Sequence, residues 1–236
     1  MKQTASAVRL GASRIEAFSS YTLGGGRDLD TTPLHDKGPT LCVFAKPPIP
    51  GQCKTRLAAT VGASRASELA AAFLADTWDV RWPSKILATT DAAYDFGLGA
   101  DRWAQGTGDL GARLESILRR AGGGVAIGAD SPGFPPEALI RATEALRRGE
   151  AAIGRTTDGG FWLIGLPHVP AGLFADLPWS SPRTAEATVA RLRGFGFEVG
   201  EVAQWFDIDE AADLEVFRGR VARHEAPRTW SVLDLG

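Results

Sequence analysis

Residues 40–57 read TLCVFAKPPIPGQCKTRL, in which an apolar run is followed by a loop rich in proline and positive charge. The run from Thr40 to Ala45 is typical of a short strand that is buried on both faces. Strands of this kind belong to parallel sheets that are covered by helices. Because ligands bind beyond the carboxyl ends of such strands, the loop that follows is the first candidate for a site.

Short apolar runs alternate with segments of helical spacing along most of the remaining chain. Strands are predicted over residues 85–89, 124–128, 151–154, 161–166 and 198–202. Helices are predicted over residues 63–77, 110–121, 135–148, 182–195 and 209–221. This alternation predicts βαβ units and an α/β fold with a mostly parallel sheet.

The composition excludes several classes of protein. The chain has 236 residues, 26 basic and 28 acidic side chains, a net charge of −2 and two cysteines. This balance argues against a dedicated nucleic-acid binder, and no apolar run reaches the ~18–20 residues that span a bilayer. We therefore expect neither a membrane nor a nucleic acid as partner. Two cysteines cannot form a disulfide framework, so we expect a cytoplasmic protein.

The two ends of the chain differ from the centre. Residues 1–39 show no sustained periodicity and contain a glycine run and a Thr-Thr-Pro sequence, which predicts a linker-like N-terminal extension. Residues 40–222 form the predicted domain. Residues 223–236 are expected to be a C-terminal tail, which Trp230, Val232 and Leu233 could anchor on the domain.

The loop after the first strand suits a phosphate group. Gly51 lies among three cationic side chains, Lys46, Lys54 and Arg56, just before a helical segment. Free backbone N–H groups and positive charge both favour phosphate binding at such a place. The spacing matches neither the Walker pattern nor the dinucleotide fingerprint. A solvated basic turn is the alternative interpretation.

Two further segments place carboxylates soon after predicted strands. Asp130 follows the apolar run 124–128, and Asp207 and Asp209 occupy alternate positions after the last strand. Carboxylate oxygens together with substrate phosphates are the ligands that Mg²⁺ and Mn²⁺ prefer. Asp130 could instead cap the following turn, and Asp209 could be the N-cap of the next helix.

Two glycine-containing segments are weaker candidates. Residues 106–111, GTGDLG, could line a base or sugar pocket around Asp109, or could simply begin a helix. Asp158 precedes Gly159 and Gly160 between two short strands, where glycine would allow close approach of a ligand. A β-turn without a functional role is the alternative interpretation of these three residues.

Six motifs, taken together and in order, resemble a known family over about residues 40–220. They are FAKPPIPGQCKTRL, GDLGARL, IGADSPGFP, TDGGFWLIGL, PWSSP and FDIDEAADL. The succession resembles the bacterial transferase 1 family that is associated with radical-SAM and selenodomain proteins, whose members are described as arsenosugar-biosynthesis-type glycosyltransferases. The resemblance implies the GT-A Rossmann-like fold of the nucleotide-diphospho-sugar transferases, a three-layer α/β/α sandwich. The first loop is also similar to that of the 2-phospholactate guanylyltransferases.

The resemblance also implies roles for individual residues. Nucleotide binding falls to Lys46, Lys54, Arg56, Gly108, Asp109 and Gly111, and the chemistry of the first loop adds Gly51. Metal binding falls to Asp130 with help from Asp207 or Asp209, because the usual Asp-x-Asp of the fold is reduced here to Asp130-Ser-Pro. The acceptor side comprises Asp158, Gly159 and Gly160. Trp179 is a further candidate there, because sugar faces stack on aromatic rings. Lys54 and Arg56 would also act in catalysis, by neutralising the charge on the leaving diphosphate.

Three functions are compatible with these observations. The first is a glycosyltransferase that moves a sugar from a nucleotide sugar to a small-molecule acceptor with the help of Mg²⁺ or Mn²⁺, with Asp158 as general base. The second is a nucleotidyltransferase that releases pyrophosphate. The third is a nucleotide-binding homologue without activity, which the retention of so many clustered charges disfavours. The resemblance favours the first.

Overall fold

The structure is a computed structural model that describes residues 38–235. The predicted N-terminal extension, residues 1–39, therefore lies outside the described residues except for its last two positions. None of the described helices is both long and apolar enough to cross a membrane.

Seven strands of the described residues form one sheet. They are β1 (Leu41–Ala45), β2 (Lys85–Thr89), β3 (Arg102–Ala104), β4 (Gly124–Gly128), β5 (Ala151–Arg155), β6 (Phe161–Leu166) and β7 (Val199–Glu201). Their spatial order is β3-β2-β1-β4-β6-β5-β7. Strand β6 is antiparallel to both of its neighbours, and the other adjacent pairs are parallel. The predicted α/β fold with a mostly parallel sheet is confirmed.

Helices cover both faces of this sheet. They are α1 (Thr55–Val61), α2 (Ala63–Trp78), α3 (Leu110–Arg120), α4 (Glu137–Arg147), α5 (Thr184–Gly194), α6 (Ala211–Arg220) and α7 (Pro227–Asp234). Successive side chains of a strand point to opposite faces, so Val43 packs in one core cluster and Cys42 in the other. The first cluster includes Leu139 of α4, and the second includes Leu118 of α3 and Leu192 of α5. The result is the expected three-layer arrangement.

The C-terminal residues form a helix that packs on the domain. Pro227 begins α7, where a missing N–H costs nothing. Leu233 is buried in a cluster with residues of α1, α2 and α6, and Trp230 and Val232 pack against the same cluster. The buried Asp76 carboxylate accepts the backbone N–H groups of Arg228 and Thr229 at 3.0 and 2.8 Å. The anchoring expected of Trp230, Val232 and Leu233 is confirmed, and the domain boundary at residue 223 remains a prediction.

The order of the strands determines where a ligand can enter. Strand β1 is paired with β2 along one of its edges and with β4 along its other edge, so the order of the strands reverses at β1. The loops that follow two parallel strands on either side of such a reversal diverge and leave a crevice at the carboxyl edge of the sheet. The loops after β1 and β4 carry the cationic segment and Asp130.

Candidate functional site

Three segments meet at the carboxyl edge of β1 and β4. Lys54 comes from the loop after β1, Asp130 from the loop after β4, and Asp207 and Asp209 from the segment between β7 and α6. The Ile208 N–H donates to the Asp130 carbonyl oxygen at 2.9 Å, which fixes the second acidic segment beside the first. The sequence-predicted cationic and metal-binding residues are therefore neighbours in space.

Lys54 is the centre of this arrangement. Its backbone is left-handed, with φ +43°, at the N-cap of α1, and its side chain is only 13% exposed. The Nζ atom donates to Asp130 Oδ2 at 3.0 Å and to Asp209 Oδ1 at 2.8 Å. The neighbouring Arg56 is 70% exposed, and its Nη1 lies 3.9 Å from Asp209 Oδ2.

Asp209 is not the N-cap of the following helix. Glu210 holds that position and forms a capping box with Asp213, and Asp213 also accepts the Asp209 N–H at 2.9 Å. The Asp209 carboxylate therefore remains free to bind Lys54. Of the two interpretations that the sequence left open, the structure excludes the cap.

The three carboxylates of Asp130, Asp207 and Asp209 form an acidic triad, with one oxygen of each within 4.8 Å of the others. Burial alone would raise the pKa of Asp130, but the adjacent Lys54 ammonium outweighs burial and the pKa is lowered. Burial would likewise lower the pKa of Lys54, but the two carboxylates raise it. No cation of the described residues pairs with Asp207, so burial and the charges of Asp130, Asp158 and Asp209 raise its pKa to about 7.

The acidic triad fits a hard divalent cation. Carboxylate oxygens are the ligands that Mg²⁺ and Mn²⁺ prefer, and three on one face suit ions that keep several waters. Ser131, next to Asp130, adds a second observation. It is 1% exposed and lines the same pocket, and its hydroxyl has no partner among the described residues. Because buried polar groups are nearly always hydrogen-bonded, this hydroxyl is available to a ligand or water beside the triad.

A pocket of about 570 Å³ opens in front of the triad. Its polar lining comes from Lys46, Gln52, Cys53, Lys54, Thr55, Arg56, Gln105, Arg113, Asp130, Ser131, Thr156, Asp207 and Asp209. This volume lies within the range usual for small-molecule and cofactor sites. The pocket therefore joins three cationic side chains of the first loop, Lys46, Lys54 and Arg56, to the acidic triad.

Gln105 is a pocket residue that no sequence pattern marks. It follows the three-residue strand β3, is 5% exposed, and donates from Nε2 to the Ala88 carbonyl oxygen at 2.8 Å. Since a carbonyl oxygen needs a donor, this bond fixes the amide orientation and leaves Oε1 as an acceptor for a ligand. A longer and more apolar β3 would have been recognised as a strand, and Gln105 would then have been a candidate as the residue that follows it.

The predicted nucleotide-binding residues of the second motif have structural partners. The Asp109 carboxylate accepts the Ala112 N–H at 2.8 Å and so caps α3. A Cβ on Gly111 would lie 2.6 Å from the Phe174 carbonyl oxygen, so α3 approaches that segment closely. Gly108 has φ +99° and precedes the cap. Gly51 has φ +77°, in the turn before Lys54. The nucleotide-binding roles of these four residues remain predictions.

The predicted acceptor-side residues form a tight hairpin turn. Asp158 is exposed, and its Oδ1 accepts the Thr156 hydroxyl and the Gly160 N–H. Gly159 has φ +92°, and a Cβ there would lie 2.0 Å from the Pro182 carbonyl oxygen. Asp158 is not among the residues that line the pocket, although its charge contributes to the raised pKa of Asp207. Its role as general base remains a prediction.

The aromatic residues behind this turn are packed. Trp162 is 3% exposed and donates from Nε1 to the Ala203 carbonyl oxygen at 3.0 Å, so it belongs to the core, where large aromatic side chains are mostly buried. Trp179 is half-buried, and its ring centroid lies 6.1 Å from that of Phe161 and 6.4 Å from that of Phe174. The acceptor role of Trp179 remains a prediction.

Comparison with known proteins identifies the fold. Residues 68–181 match a family described as "Uncharacterized protein conserved in bacteria (DUF2064)". A crystal structure from Desulfovibrio desulfuricans G20, described as a "putative nucleotide-diphospho-sugar transferase", is 28% identical with a TM-score of 0.74. The match covers 83% of this chain and 93% of that one. The chain therefore has the fold of the nucleotide-diphospho-sugar transferases. No curated protein matches the chain.

More distant solved structures also match. A manganese complex of Rv0371C from Mycobacterium tuberculosis H37Rv is 19% identical with a TM-score of 0.44, over 78% of this chain and 100% of that one. The 2-C-methyl-D-erythritol 4-phosphate cytidylyltransferase from Thermus thermophilus is 17% identical with a TM-score of 0.45, over 77% and 98%. At these values neither bears on the function of this chain.

Proposed function

We propose that the chain is a transferase that takes a sugar from a nucleotide-sugar donor and delivers it to a small-molecule acceptor with the help of Mg²⁺ or Mn²⁺. The observation that carries this proposal is the meeting of Lys54 with Asp130 and Asp209 in a pocket at the carboxyl edge of the sheet. Cations and hard-metal ligands in one cavity suit a substrate that carries a diphosphate.

The chemistry requires charge neutralisation above all. Breaking the bond between sugar and diphosphate places negative charge on the leaving group, and fixed positive groups stabilise that charge in the transition state. Lys54 and Arg56 line the pocket and can donate to phosphate oxygens, and Lys46 adds a third cation on the same side. A bound Mg²⁺ or Mn²⁺ would be held by Asp130, Asp207 and Asp209 and would add positive charge beside the diphosphate.

The preference for sugar transfer over nucleotidyl transfer comes from the motif resemblance, and the similarity to the Desulfovibrio protein supports a transferase in general. That protein is described as a "putative nucleotide-diphospho-sugar transferase", and the match extends over 93% of its chain at 28% identity. The fold alone does not decide between sugar transfer and nucleotidyl transfer, because one fold hosts many reactions. Nucleotidyl transfer from a triphosphate, with release of pyrophosphate, is the alternative outcome of the test.

The test is a comparison of products. The protein is incubated with a panel of sugar nucleotides and, separately, with nucleoside triphosphates, each with Mn²⁺ and with chelator, and the nucleotide products are separated by chromatography. We expect a nucleoside diphosphate or monophosphate to be released from at least one sugar nucleotide when Mn²⁺ is present. Release of pyrophosphate from a triphosphate, with every sugar nucleotide intact, would establish the nucleotidyltransferase instead.

A further inference from the structure

The Lys54 ammonium contacts two of the three carboxylates that a metal ion in the acidic triad would use. Its Nζ donates to Asp130 Oδ2 at 3.0 Å and to Asp209 Oδ1 at 2.8 Å, and Asp207 is the third carboxylate of the triad. A Mg²⁺ ion binds carboxylate oxygens at about 2.0–2.1 Å. An ion bound to the triad would therefore lie within a few ångströms of the ammonium, and the two like charges would repel each other strongly at such a distance.

The ammonium is held firmly in this position. The backbone of Lys54 is fixed at the start of α1, and the side chain is 13% exposed. Two charge-assisted hydrogen bonds hold its end, and the charges of both partners raise the pKa of Lys54. A metal ion that enters the triad competes with this ammonium for the charge of the same two carboxylates.

Once a metal ion holds the three carboxylates, the pocket offers the displaced ammonium another negatively charged partner only when a substrate anion is present. The other cationic side chains that line it are Lys46, Arg56 and Arg113, none of which can accept a hydrogen bond from an ammonium. A phosphate group in the pocket could accept from Lys54, because phosphate oxygens are strong acceptors for lysine. The energetic cost of moving the lysine is therefore lower when substrate phosphate is bound.

We infer that Lys54 is a built-in competitor of the metal ion, which keeps the acidic triad weak for divalent cations until a phosphate-bearing substrate draws the ammonium away. This inference rests on the proposed function for the identity of that substrate, and it concerns the regulation of the same site. Coupling of this kind is reciprocal, so the metal ion also favours the binding of phosphate, typically by about 5–150-fold.

The experiment measures Mn²⁺ binding alone, by electron paramagnetic resonance of free Mn²⁺ or by calorimetry, without nucleotide. Lys54→Met removes the competing charge and keeps most of the side-chain volume. Lys46→Met is the matched control for charge at longer range, because Lys46 lines the same pocket and its charge acts on Asp130, but it forms none of the ion pairs that the described residues make with the triad. We expect Lys54→Met to bind Mn²⁺ at least about 10-fold more tightly than the wild type. We expect Lys46→Met to remain within about twofold of it.

Equal affinity of Lys54→Met and the wild type would overturn the inference, as would equal tightening in both variants or an absence of Mn²⁺ binding in all three proteins. Because no nucleotide is present, these results do not depend on whether the proposed reaction occurs. A negative product assay would therefore contradict the proposed function without contradicting the competition between Lys54 and the metal ion.

A second measurement uses the wild type and covers the case in which Lys54→Met does not fold. Lysine acylation is followed by mass spectrometry of peptides, with Lys46 as the internal reference. Saturating Mn²⁺ should increase acylation of Lys54 several-fold, because the displaced amine loses two carboxylate partners, and should leave Lys46 unchanged. Acylation of Lys54 that does not respond to bound Mn²⁺ would show that the ion and the ammonium do not compete.

Discussion

The loop after β1 and the turn after β5 both place an ionisable side chain close to glycine, and the structure uses them differently. In the first loop, Lys54 bonds to Asp130 and Asp209, which are 76 and 155 residues away along the chain. In the turn, Asp158 bonds to Thr156 and Gly160, each two residues away. A polar side chain whose partners are distant in sequence and lie in a pocket marks a site more reliably than one whose partners are its own turn.

The largest effect is expected at Asp130, the member of the acidic triad that follows β4. Asp130→Asn removes one anionic ligand and one partner of Lys54, so any Mn²⁺ dependence of nucleotide binding should be lost and turnover should fall by about 10²-fold or more. Calorimetry and turnover assays with and without chelator measure both effects. Asp95→Asn, at an 89% exposed surface position, is the control and should resemble the wild type. A wild type that binds and reacts equally well in chelator would contradict the metal assignment.

The next effect concerns the two cations at the start of α1. Lys54→Ala should weaken the binding of nucleoside diphosphates in the presence of Mn²⁺ by roughly 10–100-fold, since a hydrogen bond to a charged group contributes about 1.5–3 kcal/mol. Arg56→Ala should weaken it less, because Arg56 is 70% exposed and solvent competes for its contacts. Titration calorimetry of both folded variants makes the comparison. Unchanged affinity in both would remove the first loop from the site.

A smaller effect is expected at Asp158, and two variants separate its alternative roles. Asp158→Ala loses the acceptor of two hydrogen bonds and should lower the melting temperature by about 2–4 °C, which corresponds to roughly 1 kcal/mol in a chain of this size. Asp158→Asn keeps an acceptor oxygen but cannot take a proton. If the turn is structural, its melting temperature and its turnover, within about 10-fold, are both retained.

The opposite result at Asp158 would be equally informative. A loss of turnover of about 10²-fold or more in Asp158→Asn, with donor affinity and melting temperature unchanged, is what a missing general base produces. That outcome would assign the turn to the acceptor side of the site. The loop after β1 and the turn after β5 would then both be functional.

The sequence predicts the sheet and most helices because their apolar residues follow simple periods. Strand β3 is missed since it has three residues with a half-exposed pattern, and α1 is missed since it begins directly after Lys54 inside a proline-rich segment. The site residues Lys54, Asp130 and Asp209 are each predicted, but their mutual contacts depend on strand order. Gln105 could not be predicted, because a single glutamine after an unrecognised strand carries no signal.

An effect of similar size to that of Asp158→Ala tests the electrostatics of the acidic triad through Asp207. The pKa of Asp207 is about 7 in the folded protein, above its ordinary value of 3.8, so the folded state binds a proton more tightly than the unfolded chain between these pH values. Stability contributed by this proton is present below about pH 4 and is lost as the pH rises through 7. Asp207→Asn removes the charge, so in metal-free buffer it should raise the melting temperature at about pH 8 by about 2–4 °C, roughly 1 kcal/mol after allowance for partial exposure.

The pH dependence of that gain distinguishes it from a general effect of the substitution. The increase in melting temperature from Asp207→Asn should shrink as the pH is lowered from about 8 to about 5, because the wild-type carboxyl then keeps its proton when folded. Asp95→Asn, on the exposed surface, should show no such trend. A decrease in melting temperature at about pH 8 would mean that Asp207 is held by a cation as Asp130 and Asp209 are by Lys54. The three carboxylates would then be equivalent, rather than divided into two that bind the ammonium and one that repels its neighbours.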